Sequence, residues 1–182
     1  PGGADQVMQA IGNGIIAPGQ VSVTIGTGAQ VFAPIASAIY DKQLRAHTFN
    51  NFQQDSWYFM GATLCGGLSL RWLRDTGLGG MPYREMDTQV EAVPRGSDGL
   101  IYLPYLSGER TPHMDPLARG MFFGLTLKHS RAHLMRAVME GVVFSLRDCL
   151  ELYEQLGQSC RRVIASGGGA GPPPSQPKES QI

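Results

Sequence analysis

Backbone N–H groups that converge past residues without a Cβ can cradle a phosphate, and a neighbouring hydroxyl adds a further donor. Thr24-Ile25-Gly26-Thr27-Gly28 supplies these parts at the end of an alternating apolar run. Ser166-Gly167-Gly168-Gly169-Ala170 supplies a second glycine turn after Val163-Ile164-Ala165, where a flat group such as adenine or a ribose could approach the main chain closely. Neither turn carries the Lys-Ser or Lys-Thr pair of a P-loop, and neither fits Gly-x-Gly-x-x-Gly before a helix. The ligand-free alternatives are a plain hairpin turn for the first and a flexible exit for the second. Asp5 has two readings as well. It caps a short helix, or it is the base that orients a substrate hydroxyl, a task for which a weak, well-placed base suffices when the transition state of phosphoryl transfer is loose.

Other candidates carry less. His113 and Asp115 are close enough in sequence for a metal pair but lack a third ligand, and Pro112 and Pro116 point to a turn. Ser107 lacks the Gly-x-Ser-x-Gly frame of an esterase elbow. Glu140 reads equally as a structural acceptor or an acid.

The elements that must position these groups follow from periodicity. Asp5 precedes Val7, Met8 and Ile11, a helical face closed by Gly12 and Gly14. Val21, Val23 and Ile25 alternate with polar residues, turn at Gly26–Gly28 and resume at Val31-Phe32-Ala33, which predicts a β-hairpin. Ala46–Phe49 and Trp57–Leu64 read as strands. Leu68, Trp72 and Leu73 predict a helix over about Cys65–Thr76, and a short helix is expected around Met86–Val90. Gly120–Leu127 is a further strand candidate, after a polar loop, Ser107–Pro116, too long for a mere connection. Ser130 opens a helix in which Leu134, Val138, Gly141/Val142, Ser145, Cys149, Tyr153 and Leu156 keep a 3.6-residue period up to Gly157. Val163–Ala165 reads as a short buried strand.

At 182 residues the chain can bury about 70% of its unfolded surface, enough for a real core. Fifteen Lys+Arg balance fifteen Asp+Glu, and no basic cluster suited to nucleic acid or an anionic membrane occurs. No apolar stretch reaches the roughly 20 residues of a membrane span. Three cysteines without Cys-x-x-Cys spacing fit neither a disulfide framework nor a thiolate zinc site, so a cytoplasmic setting is expected. The start on Pro1-Gly2-Gly3 reads as that of a fragment. Pro172–Ile182, with four prolines and a single large apolar residue, is expected to be a disordered tail following one domain over 1–171.

Taken together, the residues resemble the C-terminal domain of the FGGY carbohydrate kinases, the xylulose kinases among them above all. Gly3-Ala4-Asp5-Gln6 is similar to the segment ending in the family's catalytic aspartate, and Val23–Gly28 to its phosphate hairpin. Tyr105-Leu106-Ser107-Gly108-Glu109-Arg110-Thr111-Pro112-His113 is similar to a stretch typical of xylulose kinases. The run from Gly120 through Phe122, Gly124-Leu125, His133-Leu134, Ala137-Val138-Met139 and Glu140 fits the C-terminal signature, and Ser166–Ala170 the adenosine loop.

The resemblance implies an α/β fold of the ribonuclease-H-like, actin-like ATPase (ASKHA) class, with a mixed sheet flanked by helices. It implies ATP and Mg²⁺ as cofactors and a sugar as the second small-molecule partner, D-xylulose foremost. Asp5 would be the catalytic base and Gln6 a sugar contact. Gly26, Thr27 and Gly28 would meet the ATP phosphates, and Gly167, Gly168, Gly169 and Ala170 the adenosine. Mg²⁺ would bridge the phosphates with no metal ligand from this chain. The partner expected for catalysis is the family's N-terminal kinase domain, with its Asp-Gly-Thr phosphate loop; a homodimer is compatible with the resemblance. Two departures stand out: Gly171-Pro172-Pro173-Pro174 replaces the helix expected after Gly169, and Gly28 stands where many relatives have Ser. The isolated chain is therefore expected to have little activity. The competing readings are a noncatalytic kinase-like module for nucleotide binding or interaction and, third, a hydrolase using Ser107 and His113.

Overall fold

The computed structural model describes residues 4–171; Gly3 and the expected tail over 172–182 lie outside the described residues. Among these residues, seven strands and four α-helices follow one another as α1 (Asp5–Gly12), β1 (Gln20–Ile25), β2 (Ala29–Ile35), β3 (His47–Asn50), β4 (Trp57–Thr63), α2 (Gly67–Gly77), α3 (Tyr83–Glu91), β5 (Ile101–Leu103), β6 (Met121–Phe123), α4 (Arg131–Gln155) and β7 (Arg162–Ser166). Five strands form a mixed sheet in the order β3-β4-β2-β1-β7, antiparallel except for the β1–β7 pair. β5 and β6 form a separate antiparallel ribbon.

Strand alternation divides the large sheet between two cores. Val31, Ala33 and Ile35 of β2 and Phe59 of β4 join Val142, Leu146, Cys149 and Tyr153 of α4 on one face. Phe32 and Tyr58 point the other way and, with Met60 and Ile164, pack against Val7 and Ala10 of α1 and Ile15 just beyond it. A third cluster gathers Leu73 of α2, Met86 and Val90 of α3, Tyr102 of β5 and Met135 and Val138 of α4. The 25-residue α4 therefore serves two cores, its first turns closing the third cluster and its later turns covering the sheet. Gly141 marks the crossing, because a Cβ there would lie 2.3 Å from the Tyr102 carbonyl oxygen. At the helix start, the Ser130 N–H donates to His133 Nδ1 at 3.2 Å.

Several expectations change. Asp5 is the first helical residue rather than the N-cap, which is Ala4; its Oδ1 accepts the Gln6 N–H at 2.8 Å. α1 buries Val7 and Ala10, three apart, and leaves Met8 and Ile11 exposed. In α2, Leu73 is buried with Ser69, while Trp72 faces outward. β6 stops at Phe123 because Gly124 turns the chain at φ +90° against the Gly99 carbonyl, which leaves Leu125 and Leu127 exposed. β7 is half exposed instead of buried, since it is an edge strand with only β1 beside it among the described residues. All three cysteines are free. No helix among the described residues is long and apolar enough to cross a membrane.

Candidate functional site

The β1–β2 register pairs Ile25 with Ala29 and leaves Gly26-Thr27-Gly28 as the connection. Its carbonyls are committed to the start of α2: Gly26 O accepts the Gly67 N–H at 2.8 Å and Thr27 O the Leu68 N–H at 3.1 Å. Those two helix-end donors are thereby used internally. The contact requires bare backbone on both sides, since a Cβ on Gly28 would lie 2.7 Å from Thr63 O and one on Gly66 would lie 2.6 Å from the Gly28 backbone. Among the described residues, the N–H groups of Thr27 and Gly28 have no internal acceptor, and the Thr27 side chain is exposed. The loop is braced through the Gly26 and Thr27 carbonyls while the Thr27 and Gly28 donors stay available.

Parallel pairing of β1 with β7 sets Ser166 beside Thr24, which brings Gly167 against Ile25. Gly167 has φ +88°, and a Cβ there would lie 2.5 Å from Ile25 O. Gly169 presses on the Ile25 side chain, whereas the space around Gly168 is open. The two glycine turns, 140 positions apart in sequence numbering (Gly28 to Gly168), meet at one cleft of about 550 Å³, lined by Gly26, Thr27, Gly168 and Gly169. Gly28, Gly167 and Ala170 are not part of its lining. The rest of its wall includes Gly66, Gly67, Leu68 and Arg71 at and within α2, Tyr83 and Asp87 of α3, and Val138, Met139 and Val142 of α4.

Asp5 and Gln6 do not line this cleft. A residue one helical turn after Asp5 links them to it. Gln9 Nε2 donates to Ser166 Oγ at 3.0 Å and its Oε1 accepts from Thr24 Oγ1 at 3.3 Å; the two hydroxyls lie 3.1 Å apart. Gln9 thus ties α1 to the ends of β1 and β7 immediately before both turns. Asp5 is exposed at the start of the same helix, and its charge is felt by Tyr58, whose phenol is pushed up by burial first and by Asp5 second. Sequence reasoning missed Gln9 although it stands at i+4 from Asp5, the spacing that shares a helix edge. It also missed Arg71, Tyr83 and Asp87, for which only the packing of α2 and α3 beside the cleft provides a signal.

The remaining candidates are occupied elsewhere. Ser107 Oγ lies 3.2 Å from Cys65 Sγ, and His113 Nε2 is 2.9 Å from the Tyr105 hydroxyl, so no Ser–His pair forms. Glu140 accepts from Arg136 Nε at 2.6 Å and from the Gly96 N–H at 3.0 Å, a structural acceptor. No group of three or more His, Cys, Asp or Glu suited to a metal occurs among the described residues.

Residues 21–175 match the FGGY family of carbohydrate kinases, C-terminal domain, which covers most of the chain, including both glycine turns. The chain belongs to the FGGY carbohydrate kinases. Among its FGGY relatives, the xylulose kinase of Bacillus subtilis (strain 168) is 41% identical over 93% of this chain and 34% of its own length. A gluconokinase of the same organism is 36% identical, over 93% of this chain and 35% of its own length. The crystal structure of a xylulose kinase from Brucella ovis superposes with a TM-score of 0.84 at 33% identity, over 91% of this chain and 34% of that one. The chain thus spans about a third of the length of the relatives it matches. The mixed sheet with helices on both faces is the actin-like ATPase fold of these FGGY enzymes, as the sequence resemblance led one to expect.

Proposed function

We propose that the chain forms the nucleotide-binding part of an ATP-dependent sugar kinase that transfers the γ-phosphoryl group of ATP to a ketose hydroxyl, with D-xylulose and D-xylulose 5-phosphate as the pair favoured by the xylulose kinases among its relatives. The observation that carries the reading is the meeting of Gly26-Thr27 with Gly168-Gly169 at a single cleft.

In this reading the N–H groups of Thr27 and Gly28 and the Thr27 hydroxyl receive the terminal phosphates. The carbonyls of the same two peptide units, Gly26 O and Thr27 O, are held by the start of α2, so these donors are already oriented before the phosphates arrive. The backbone of Gly167–Ala170 accepts the adenosine, Gly168 being the position without a neighbour to exclude it. The apolar side chains of Val138, Met139 and Val142 keep water from the base. Asp5 holds the acceptor hydroxyl and takes its proton at a carboxylate oxygen, with Gln6 beside it as a sugar contact. The donor set of the cleft, backbone N–H with no carboxylate cluster among the described residues, fits an anion; Mg²⁺ would be held by the phosphates and would supply positive charge against that of the transferred group. The second wall of the cleft, with most of the sugar contacts, belongs to an N-terminal kinase domain of the kind the FGGY enzymes carry. A cytoplasmic setting goes with this metabolic role.

Titrating the 182-residue chain with Mg-ATP should shift the amide resonances of Thr27, Gly28, Gly168 and Gly169 together. A response at one turn without the other would break the shared-cleft reading. In a protein carrying both kinase domains, Asp5→Asn should lower kcat by about 10²–10⁴-fold with ATP affinity spared, and near-normal turnover would refute the base assignment.

A further inference from the structure

The loop from Tyr105 to Pro116 plays no part in the proposed chemistry, yet it carries the most buried charged side chain among the described residues, Glu109, at 3% exposure. Glu109 Oε1 accepts the Leu64 N–H at 2.9 Å and the Arg110 N–H at 2.7 Å, while Oε2 is buried without a partner. Burial pushes the carboxyl above its ordinary range, opposed by those two N–H bonds and by the charges of His113 and Arg110. A buried carboxyl group with one unsatisfied oxygen is costly, so the bonds it does make have to be where its worth lies.

The bond to Leu64 reaches the phosphate hairpin through three residues of backbone. Leu64 lies between Thr63, whose carbonyl touches Gly28, and the Gly66-Gly67 pair. Gly66 packs on the Gly28 backbone, and the N–H groups of Gly67 and Leu68 hold the carbonyls of Gly26 and Thr27. A shift of Leu64 therefore has no slack in which to dissipate before it reaches the loop. Glu109 is itself anchored. Its N–H and C=O pair with Asp115 at 2.8 and 3.0 Å, and the next residue but one, Thr111, exchanges bonds with Ala62 of β4 through its N–H at 3.0 Å and its hydroxyl oxygen at 3.2 Å.

We infer that Glu109 is a positioning residue, which fixes the 63–67 strap so that the Thr27 and Gly28 N–H groups keep the arrangement that receives a polyphosphate. The inference rests on the nucleotide reading above and adds to it a residue that touches no ligand. It separates phosphate affinity from nucleoside affinity, because the strap supports the hairpin and not the Gly167–Ala170 turn.

The test titrates the full 182-residue chain with inorganic tripolyphosphate, adenosine and ADP. Glu109→Ala should weaken tripolyphosphate by about tenfold, the value of one hydrogen bond to a charged group, and leave adenosine within about twofold. Glu109→Gln, whose amide oxygen accepts the same N–H groups, should restore tripolyphosphate to within about threefold of the wild type. Equal losses for both ligands, or no loss, would overturn the positioning role, as would failure of Gln to rescue. Should Glu109→Ala not fold, the wild type still decides. By reciprocity of coupling, tripolyphosphate must slow hydrogen exchange at the Leu64 and Gly67 amides, and unchanged exchange there removes the link. A wild-type chain that binds neither tripolyphosphate nor ADP instead brings down the nucleotide reading on which the inference stands.

Discussion

The two glycine turns at the cleft have similar composition and are held in different ways. Gly26-Thr27-Gly28 is clamped from behind, with the Gly26 and Thr27 carbonyls bonded to the start of α2 and its backbone in contact with Thr63 and Gly66. Gly167-Gly168-Gly169 follows an edge strand and leans on Ile25, with one internal bond from the Ala170 N–H to Gly167 O. Glycine serves close approach of protein to protein in the first turn. In the second it serves that purpose at Gly167 and Gly169 and leaves free space at Gly168. A braced turn suits a triphosphate, whose recognition depends on fixed donors, and an open one suits a flat base, whose recognition depends on room and apolar contact.

Substitutions can break or sharpen this contrast. Gly66→Ala should have the largest effect, about 3 kcal/mol lost in urea denaturation, because its Cβ would meet the Gly28 backbone at 2.6 Å and neither chain segment can rotate away. Phosphate binding should go with it. Gly167→Ala combines a positive φ of 88° with a Cβ 2.5 Å from Ile25 O and should cost about 2 kcal/mol, and equality with Gly66→Ala would erase the distinction between braced and leaning turns.

The third effect is a pH slope that Glu109 contributes from the braced side. Burial pushes the Glu109 carboxyl above the ordinary glutamate range, so the folded chain binds a proton that the unfolded chain has already released. Stability contributed by this group is thus present at low pH and declines as pH rises from the unfolded value through the raised folded one. Glu109→Gln should flatten that decline in denaturation midpoints taken across the range, and a wild-type-minus-variant difference of zero slope would contradict it. The smallest stability effect belongs to Gly168→Ala, within about 0.5 kcal/mol, since nothing lies within 4 Å of the added methyl group. Its ATP affinity should nevertheless fall, as calorimetric titration would show.

Much of the fold was legible from the chain. The β1–β2 hairpin was visible because Val21, Val23 and Ile25 alternate with polar residues up to a glycine turn. α4 was visible because a 3.6-residue period persists from Leu134 to Leu156, bounded by Ser130 and Gly157. The errors fell where a neighbour decides. β7 has the apolar run of a buried strand but lies at an edge, and α1 buries Ala10 in place of the larger Met8 and Ile11, because the sheet face beneath it is already filled by Phe32 and Tyr58.

The same division holds for the site. Local residue order was enough to mark both glycine turns and Asp5, since φ freedom, absence of a Cβ and helix starts are properties of a few consecutive residues, while the Tyr105–His113 stretch was marked by its resemblance to xylulose kinases. That the two turns share one cleft, that Gln9 links α1 to both strand ends, that Arg71, Tyr83 and Asp87 complete the wall and that Glu109 reaches Leu64 were settled only by β1–β7 pairing and the packing of α2, α3 and loop 105–116. These are contacts between segments tens of residues apart, and they depend on which surfaces the folded core leaves facing each other, a quantity no short window of sequence contains.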